Sequence, residues 1–330
     1  MDKIKRFIDC AIPTKTCNLQ CHYCYIGMTG RFRDEIVEFD QTPETIRKAL
    51  SKKRLGGTCM LNLCAGGETL LGESVLPTVK ALLEEGHYVT IVTNGTLRKR
   101  FEELAVWPKE LTERLMLKMS FHYLELKRLN GFENFFGNLE LVKKAGASYS
   151  VEVTPSDELI PHIDDLKAMC MERLGTLCHI TFARNDTTEG RDLLSKHDLE
   201  SYKSIWGTFE SDLFAYKARI YEEKRREFCH AGDWTLYINL KSGTVRQCYK
   251  GERIDNIYRN IDEPLNLKPI GCNCPEPYCY NGHAFLTFGA IGDLEAPTYG
   301  QMRNRVNKDG EEWLMPKMKA FTSQKLKDMN

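Results

Sequence analysis

The sequence predicts an α/β fold: an open, partial (β/α)6 barrel followed by a small cysteine-bearing domain. Three observations predict it. Six short segments, 6–14, 58–66, 87–95, 114–122, 148–156 and 177–185, read as strands with helical patterns between them. Strands alternating with helices build right-handed βαβ units and a parallel sheet, and six units are fewer than a closed eight-fold barrel needs. Second, a charged helical stretch, 197–228, ends where the cysteines resume at Cys229. That places a boundary near 226, with the barrel in 1–226 and the second domain and tail in 227–330. Third, side chains alternate between the faces of a strand, and the predicted strands alternate clearly.

The elements follow in order. Thr42-Pro43 is an N-cap and first-turn pair ahead of Ile46, Ala49 and Leu50. Val75, Leu76, Val79, Leu82 and Leu83 form an apolar stripe that stops at Gly86. Leu139, Leu141 and Val142 precede Gly146, and Leu166, Met169, Cys170 and Leu174 precede Gly175. Segments 234–239 and 244–249 form a hairpin around Lys241-Ser242-Gly243. In the tail, Trp313, Leu314, Met315 and Phe321 are packing anchors.

One strand face is apolar, as in Val89 and Ile91 or Leu115, Leu117 and Met119, and packs on helices. The other is polar: Asp9, Asn62, Thr90, Asn94, Lys118, Ser120, His122, Ser150, Glu152, Thr154, His179 and Thr181. A closed barrel fills its interior with Val, Ile and Leu, so this face predicts a wet cavity for polar ligands.

Lys plus Arg and Asp plus Glu both number 46 in 330 residues. This balance gives no electrostatic case for nucleic acid or an anionic membrane. Lys224-Arg225-Arg226 is flanked by Glu222, Glu223 and Glu227 and reads as a solvated helix face. No apolar run approaches the roughly 20 residues that span a bilayer, and the N-terminus lacks a signal-peptide core. A cytoplasmic setting follows, where thiols stay reduced, so the thirteen cysteines argue for metal or catalysis rather than disulfides.

Cys17, Cys21 and Cys24 form a C-x3-C-x2-C motif directly after the first strand, at the sheet edge where α/β sites lie. Three thiolates can hold three irons of a [4Fe–4S] cluster and leave the fourth open, whereas four close it. Zinc is the competing ligand, but it wants four N/S donors, and His22 is poorly spaced to supply one. The second strand ends in Cys64-Ala-Gly66-Gly67-Glu68 and the third in Thr93-Asn94-Gly95-Thr96.

These motifs, over residues 6 to about 185, resemble the radical S-adenosylmethionine (SAM) superfamily. The resemblance implies that Cys17, Cys21 and Cys24 hold a [4Fe–4S] cluster whose open iron chelates SAM. It implies Tyr23 near the adenine and Gly66, Gly67 and Glu68 at the methionine amino group. One electron cleaves SAM, and the 5′-deoxyadenosyl radical abstracts hydrogen from an unactivated C–H. Asn94, Ser120, Glu152 and Thr154 are candidates for ribose or carboxylate contacts. His122 and His179 are candidate general acids or bases. Cys64 shares the Asn62 face and is a candidate hydrogen-atom donor. Cys10, Cys59, Cys170 and Cys178 fall on core positions.

After residue 228, Cys229-x13-Gly243-x4-Cys248 resembles the opening of the SPASM and twitch auxiliary-cluster domains. Cys272-x-Cys274-x4-Cys279-x3-His283 resembles a shortened form of their later cysteines. One auxiliary [4Fe–4S] cluster is therefore expected on Cys229, Cys248 and Cys279, with Cys272 or Cys274 as the fourth ligand and His283 a further candidate. A zinc ribbon is the competing reading.

Oxidation, epimerisation and cross-linking are all compatible with this machinery. The first barrel strand starts near residue 6, which leaves no room for an N-terminal peptide-recognition domain and favours a small polar substrate: a sugar, aminocyclitol or amino alcohol. A ribosomal peptide is the alternative. The partners implied are that substrate and a one-electron reductant such as flavodoxin or ferredoxin, with no nucleic acid and no membrane. A non-catalytic Fe–S protein for electron transfer or redox sensing is the reading from another class.

Overall fold

Nine strands form one sheet in the order β6-β5-β4-β3-β2-β1-β7-β8-β9, in a computed structural model that describes residues 2–328. The first six are β1 (Ile4–Ile12), β2 (Thr58–Ala65), β3 (Tyr88–Thr93), β4 (Leu115–Ser120), β5 (Ser148–Val153) and β6 (His179–Ile180). They pair in parallel, each with its sequence neighbour. The open parallel sheet expected from the sequence is the one observed.

The last of these strands differs from expectation. Segment 177–185 contributes only His179–Ile180 to the ladder, because β6 is an edge with β5 as its single partner. Beyond it the chain bonds to itself and to a helix instead. Leu194 N donates to Ala183 O, Asn185 N to Asp192 O, and Ala183 N to Tyr202 Oη.

Helices cover the apolar face. Thr42 Oγ1 caps the helix Pro43–Ala49 by accepting from Thr45 N at 3.2 Å. Val75, Leu76, Val79, Leu82 and Leu83 are buried on the helix Val75–Glu84, in one cluster with Val89, Ile91, Leu115 and Leu117. Cys10, Cys59, Cys170 and Cys178 are fully buried in the same cluster.

The polar face is filled differently at its two ends. Toward the bottom it is a hydrogen-bonded network. Asn62 Nδ2 donates to Asp9 Oδ1 at 2.7 Å, Thr90 Oγ1 to Asn62 Oδ1 at 3.1 Å, and Asn281 Nδ2 to Asp9 Oδ2 at 3.0 Å. The tail closes this end. Ile4 N donates to Gln324 Oε1, Tyr149 N to Trp313 O and Met315 N to Ser148 Oγ, all at strand starts. Phe321 stacks on Tyr88 at 3.7 Å, and Trp313, Leu314 and Phe321 are buried as anchors. The upper end of the polar face opens into a cavity.

The second cysteine region joins the same sheet. β7 (Thr235–Asn239) pairs parallel with β1, from Phe7 opposite Thr235 to Ala11 opposite Asn239. β7 and β8 (Thr244–Arg246) form the expected hairpin, and β9 (Arg253–Asn256) extends it. Gly243 turns the hairpin at φ +73°, where a Cβ would lie 2.5 Å from Asn256 Oδ1 and the Tyr258 ring. The sheet thus runs through the boundary at 226.

The stretch 197–228 is not helical throughout. Helices cover Leu199–Gly207 and Asp212–Ile220, and the Lys-Arg-Arg run lies in the loop after them. Arg225 is buried between Glu223 and Glu227, its partners on either side, so it is not on a solvated helix face. No helix among the described residues is long and apolar enough to cross a membrane.

Candidate functional site: two cysteine centres on one sheet

A cavity of about 320 Å³ opens at the C-terminal ends of the barrel strands, where Cys17, Cys21 and Cys24 face Gly66, Gly67 and Glu68. The two loops are stitched by backbone. Gly67 N donates to Thr14 O at 2.8 Å and Glu68 N to Thr16 O at 2.9 Å. A Cβ on Gly67 would lie 1.9 Å from Thr16 O, so no other residue permits this approach.

Glu68 is buried and accepts three hydrogen bonds: Thr93 Oγ1 and Leu70 N on Oε1, and Asn94 N on Oε2. A carboxylate offers about four acceptor positions, so one on Oε2 stays free for an ammonium. Burial pushes the Glu68 carboxyl above its usual range against these donors. Asn94 holds the cysteine loop, donating to Asn18 Oδ1 at 2.7 Å and reaching Cys17 Sγ at 3.8 Å. Cys17 Sγ also accepts from Leu19 N at 3.5 Å.

Tyr23 Oη lies 2.7 Å from His122 Nδ1, and the rings stack at 6.0 Å. Burial pulls the His122 imidazole down to about 4 and keeps it neutral. Cys64, Ser120 and Thr154 line the same cavity. Burial pushes the Cys64 thiol up to about 12.

Two predicted residues are not brought to the cavity. His179 lies beneath it, bonded through Nδ1 to Ser211 Oγ and packed edge-on against Trp313. Burial holds it at about 3, so it has neither access nor charge for acid–base work. Glu152 faces Arg303 instead, with Nε and Oε1 3.1 Å apart. Burial raises its carboxyl, and Arg303 with Lys118 outweigh that and hold it below the usual range.

Arg184 and Asp186 line the cavity without having been singled out. They sit near the C-terminal edge of the sixth predicted strand, and that edge position was the available signal.

A second pocket gathers Cys229, Cys248, Cys274 and Cys279 among apolar neighbours such as Ile270, Phe285 and Leu286. Cys229 is fixed by a double backbone bridge with Gly271. Cys272 is exposed and outside this pocket, and His283 belongs to a different one. Four of the five C-terminal cysteines therefore converge.

Among the described residues no three His, Cys, Asp or Glu side chains close tightly enough on a single metal ion. Thiols spaced around a pocket suit a multi-iron group with one sulfur per iron better than a tetrahedral zinc.

Residues 11–154 match the family model described as the radical SAM superfamily. That family uses SAM and a [4Fe–4S] cluster, and the cysteine triplet and the Gly-Gly-Glu loop of this chain face each other across one cavity. No curated protein sequence matches the chain. Among solved structures, Streptococcus suis SuiB bound to S-adenosylmethionine is 15% identical, covering 79% of this chain at a TM-score of 0.52. SuiB bound to its precursor peptide SuiA is 16% identical over 79%, with a TM-score of 0.51. BtrN in complex with AdoMet and 2-DOIA is 18% identical, covering 79% of this chain and 82% of BtrN, with a TM-score of 0.42. The chain spans 65% and 64% of the two SuiB chains, and the likeness to SuiB is one of fold.

Proposed function

We propose, for a chain whose residues 11–154 form a radical SAM domain, that it cleaves SAM reductively and oxidises or epimerises a small polar substrate: a sugar, aminocyclitol or amino alcohol. The observation that carries this reading is the single cavity shared by Cys17, Cys21, Cys24 and the Gly66-Gly67-Glu68 loop. When bound, the cluster supplies the electron that cleaves SAM, whose 5′-deoxyadenosyl fragment takes a hydrogen atom from an unactivated C–H.

The chain's own residues do the positioning. Burial pushes the Cys17 thiol up, and Leu19 N and Asn94 Nδ2, which point at its Sγ, oppose that shift. The free position on Glu68 Oε2 accepts the methionine ammonium. Tyr23 and His122 brace one wall as a neutral pair.

Cys229, Cys248, Cys274 and Cys279 are proposed to hold one auxiliary [4Fe–4S] cluster. Closed ligation in an apolar pocket suits electron transfer. Held there, such a cluster would be able to accept the one electron that a two-electron oxidation must release after hydrogen-atom loss, with the proton going to solvent, and this favours oxidation. Epimerisation is the second reading, favoured by the Cys64 thiol in the cavity wall. A flavodoxin or ferredoxin is the proposed reductant. A ribosomal peptide is the alternative substrate.

Anaerobic reconstitution is expected to give about eight irons per chain and 5′-deoxyadenosine from SAM plus dithionite. A fully loaded protein that leaves SAM intact would sink the enzyme reading. Turnover in deuterated water separates the outcomes: solvent deuterium in the product marks epimerisation, and loss of two hydrogens marks oxidation.

A further inference from the structure

A narrow slot of about 20 Å³ lies between the two cysteine centres. Phe182 and Arg184 form a wall it shares with the SAM cavity. Tyr278, Cys279 and Tyr280 form a wall it shares with the four-cysteine pocket. Lys217, from the helix Asp212–Ile220, and His283 complete it.

The charges around this slot do not balance. Lys118, Arg184, Lys217 and Arg303 surround His283, and all four hold its imidazole in the neutral form, after burial itself. The acids nearby are already engaged. Glu152 faces Arg303 at 3.1 Å, Asp186 pairs with Arg191 at 3.2 Å, and Asp9 is bonded to Asn62 and Asn281 and faces Lys118. Arg303 is fully buried, and none of its guanidinium nitrogens is aligned for a hydrogen bond.

Lys217 and Arg184 meet no carboxylate at ion-pair distance among the described residues. Lys217 Nζ donates to Thr181 Oγ1. Arg184 Nη1 donates to Tyr280 O at 3.0 Å, and the guanidinium lies 5.6 Å and 5.9 Å from the Tyr280 and Tyr278 ring centres. Burial, with Arg184 and Arg303 beside it, pushes the Lys217 ammonium well below its usual range, so charging Lys217 and seating Arg184 unpaired both cost free energy unless something else brings the counter-charge. The aromatic walls offer an apolar seat beside them.

We infer that the substrate carries a carboxylate, and that Lys217 and Arg184 hold it in the slot between the SAM cavity and the four-cysteine pocket. The inference rests on the reading of the upper cavity as the substrate chamber, and it narrows the sugar, aminocyclitol or amino alcohol proposed above to one that also bears a carboxylate, such as a sugar acid. Arg184 presents a planar fork that matches a carboxylate, and Lys217 adds a point charge. The acid's stem then runs along Phe182 toward the cysteine triplet, which puts the reacting C–H between the two centres.

The test is binding to the reconstituted, SAM-loaded protein by calorimetry, without turnover. Acetate, propionate and benzoate are each compared with the matching amide. At least one acid is expected to bind more tightly than its amide by about tenfold or more. Lys217→Met and Arg184→Gln are expected to lose that preference. Lys203→Met, at a half-buried lysine paired with Glu200 and outside the slot, is expected to keep it. Lys217→Met is also expected to melt no lower than wild type without ligand, since it replaces a side chain whose charged form burial already disfavours; this shows that it folds.

Acids and amides that bind alike, or no binding of any acid, the tripeptide acid included, up to about 50 mM, overturn the inference. So does weaker SAM binding by Lys217→Met with acid binding intact, since the cations would then serve SAM's own carboxylate. Inorganic phosphate binding more tightly than every acid replaces the carboxylate with a phosphate and also overturns it. A tripeptide acid preferred over its C-terminal amide, with small acids silent, supports the carboxylate and assigns it to a peptide. Wild-type protein that cleaves SAM but binds no acid ends this inference alone. Wild-type protein that does not cleave SAM ends the parent reading, whatever it binds.

Discussion

The two cysteine centres are built on opposite plans. The first takes three thiols from a loop of eight residues, 17–24, and opens them onto a polar cavity at the strand ends. The second takes four thiols from segments up to 50 residues apart in sequence, Cys229 to Cys279, and walls them with Ile270, Phe285, Leu286 and Ile291. The first centre depends on a neighbouring loop for its shape, through the backbone bonds from Gly67 and Glu68 to Thr14 and Thr16. The second depends on hydrophobic packing and on the Cys229–Gly271 bridge. An open centre with polar surroundings suits ligand chemistry, and a closed apolar one suits moving electrons.

The largest expected effect falls on the open centre. Cys17→Ala should abolish SAM cleavage, to below about 1% of wild type by 5′-deoxyadenosine yield, and leave about four irons in the second centre. Residual cleavage at wild-type rate would break the distinction outright. Gly67→Ala comes next. Its Cβ has no room at 1.9 Å from Thr16 O, so the two loops must part, and cleavage should fall about 100-fold or more while the second centre keeps its iron.

Cys274→Ala should lower iron to about four per chain and reduce cleavage only partly, while Cys272→Ala should keep about eight. The reverse result would mean that the exposed Cys272 swings in as a ligand. Glu68→Gln keeps the shape of the carboxylate and removes its charge, so KM for SAM should rise about tenfold with the iron count unchanged.

The smallest effect tests whether the centres share one folding unit. His87 is a neutral imidazole, with Nδ1 accepting from Cys59 N at 3.0 Å and Nε2 donating to Leu50 O at 2.8 Å, and burial lowers it to about 4. The unfolded chain protonates this group first as pH falls from about 6.5, so stability is lost between there and about 4. Its share approaches 2–3 kcal/mol, roughly, at the acid end. Urea melts of the apoprotein at pH 7 and pH 5 should show this loss, reduced in His87→Gln. Probes near Trp234 and Trp313 should report the same midpoint, because β7 and the tail both pack on the barrel sheet.

Much of this was legible in the sequence for a physical reason. The cysteine triplet and Gly66-Gly67-Glu68 are local motifs, and the strands that carry them were visible as alternating segments ending in glycine or asparagine. The cysteine triplet, Cys64, the Gly66-Gly67-Glu68 loop, Asn94, Ser120, His122, Thr154 and Thr181, all named from the sequence, do line one cavity. The misses are non-local. His179 has the polarity of a cavity residue, but the tail residue Trp313 covers it. Glu152 looked like a ligand contact until Arg303, 151 positions later, met it. The parallel pairing of β7 with β1 joins segments more than 220 residues apart, and hydrophobic alternation does not state a strand's partner. Cys272 and Cys274 differ by two positions in a loop, where no periodicity assigns sides.

The central place of β1 has a consequence for how the chain is made. Its backbone pairs with β2 on one side and with β7 on the other. While a ribosome has delivered only the first 230 residues, one flank of β1 is a bare row of amide and carbonyl groups with apolar side chains beside it. Such a flank recruits other strands. The nascent barrel is therefore most prone to aggregate just before residues 235–239 emerge, and a fragment cut at 226 would keep that sticky edge for good.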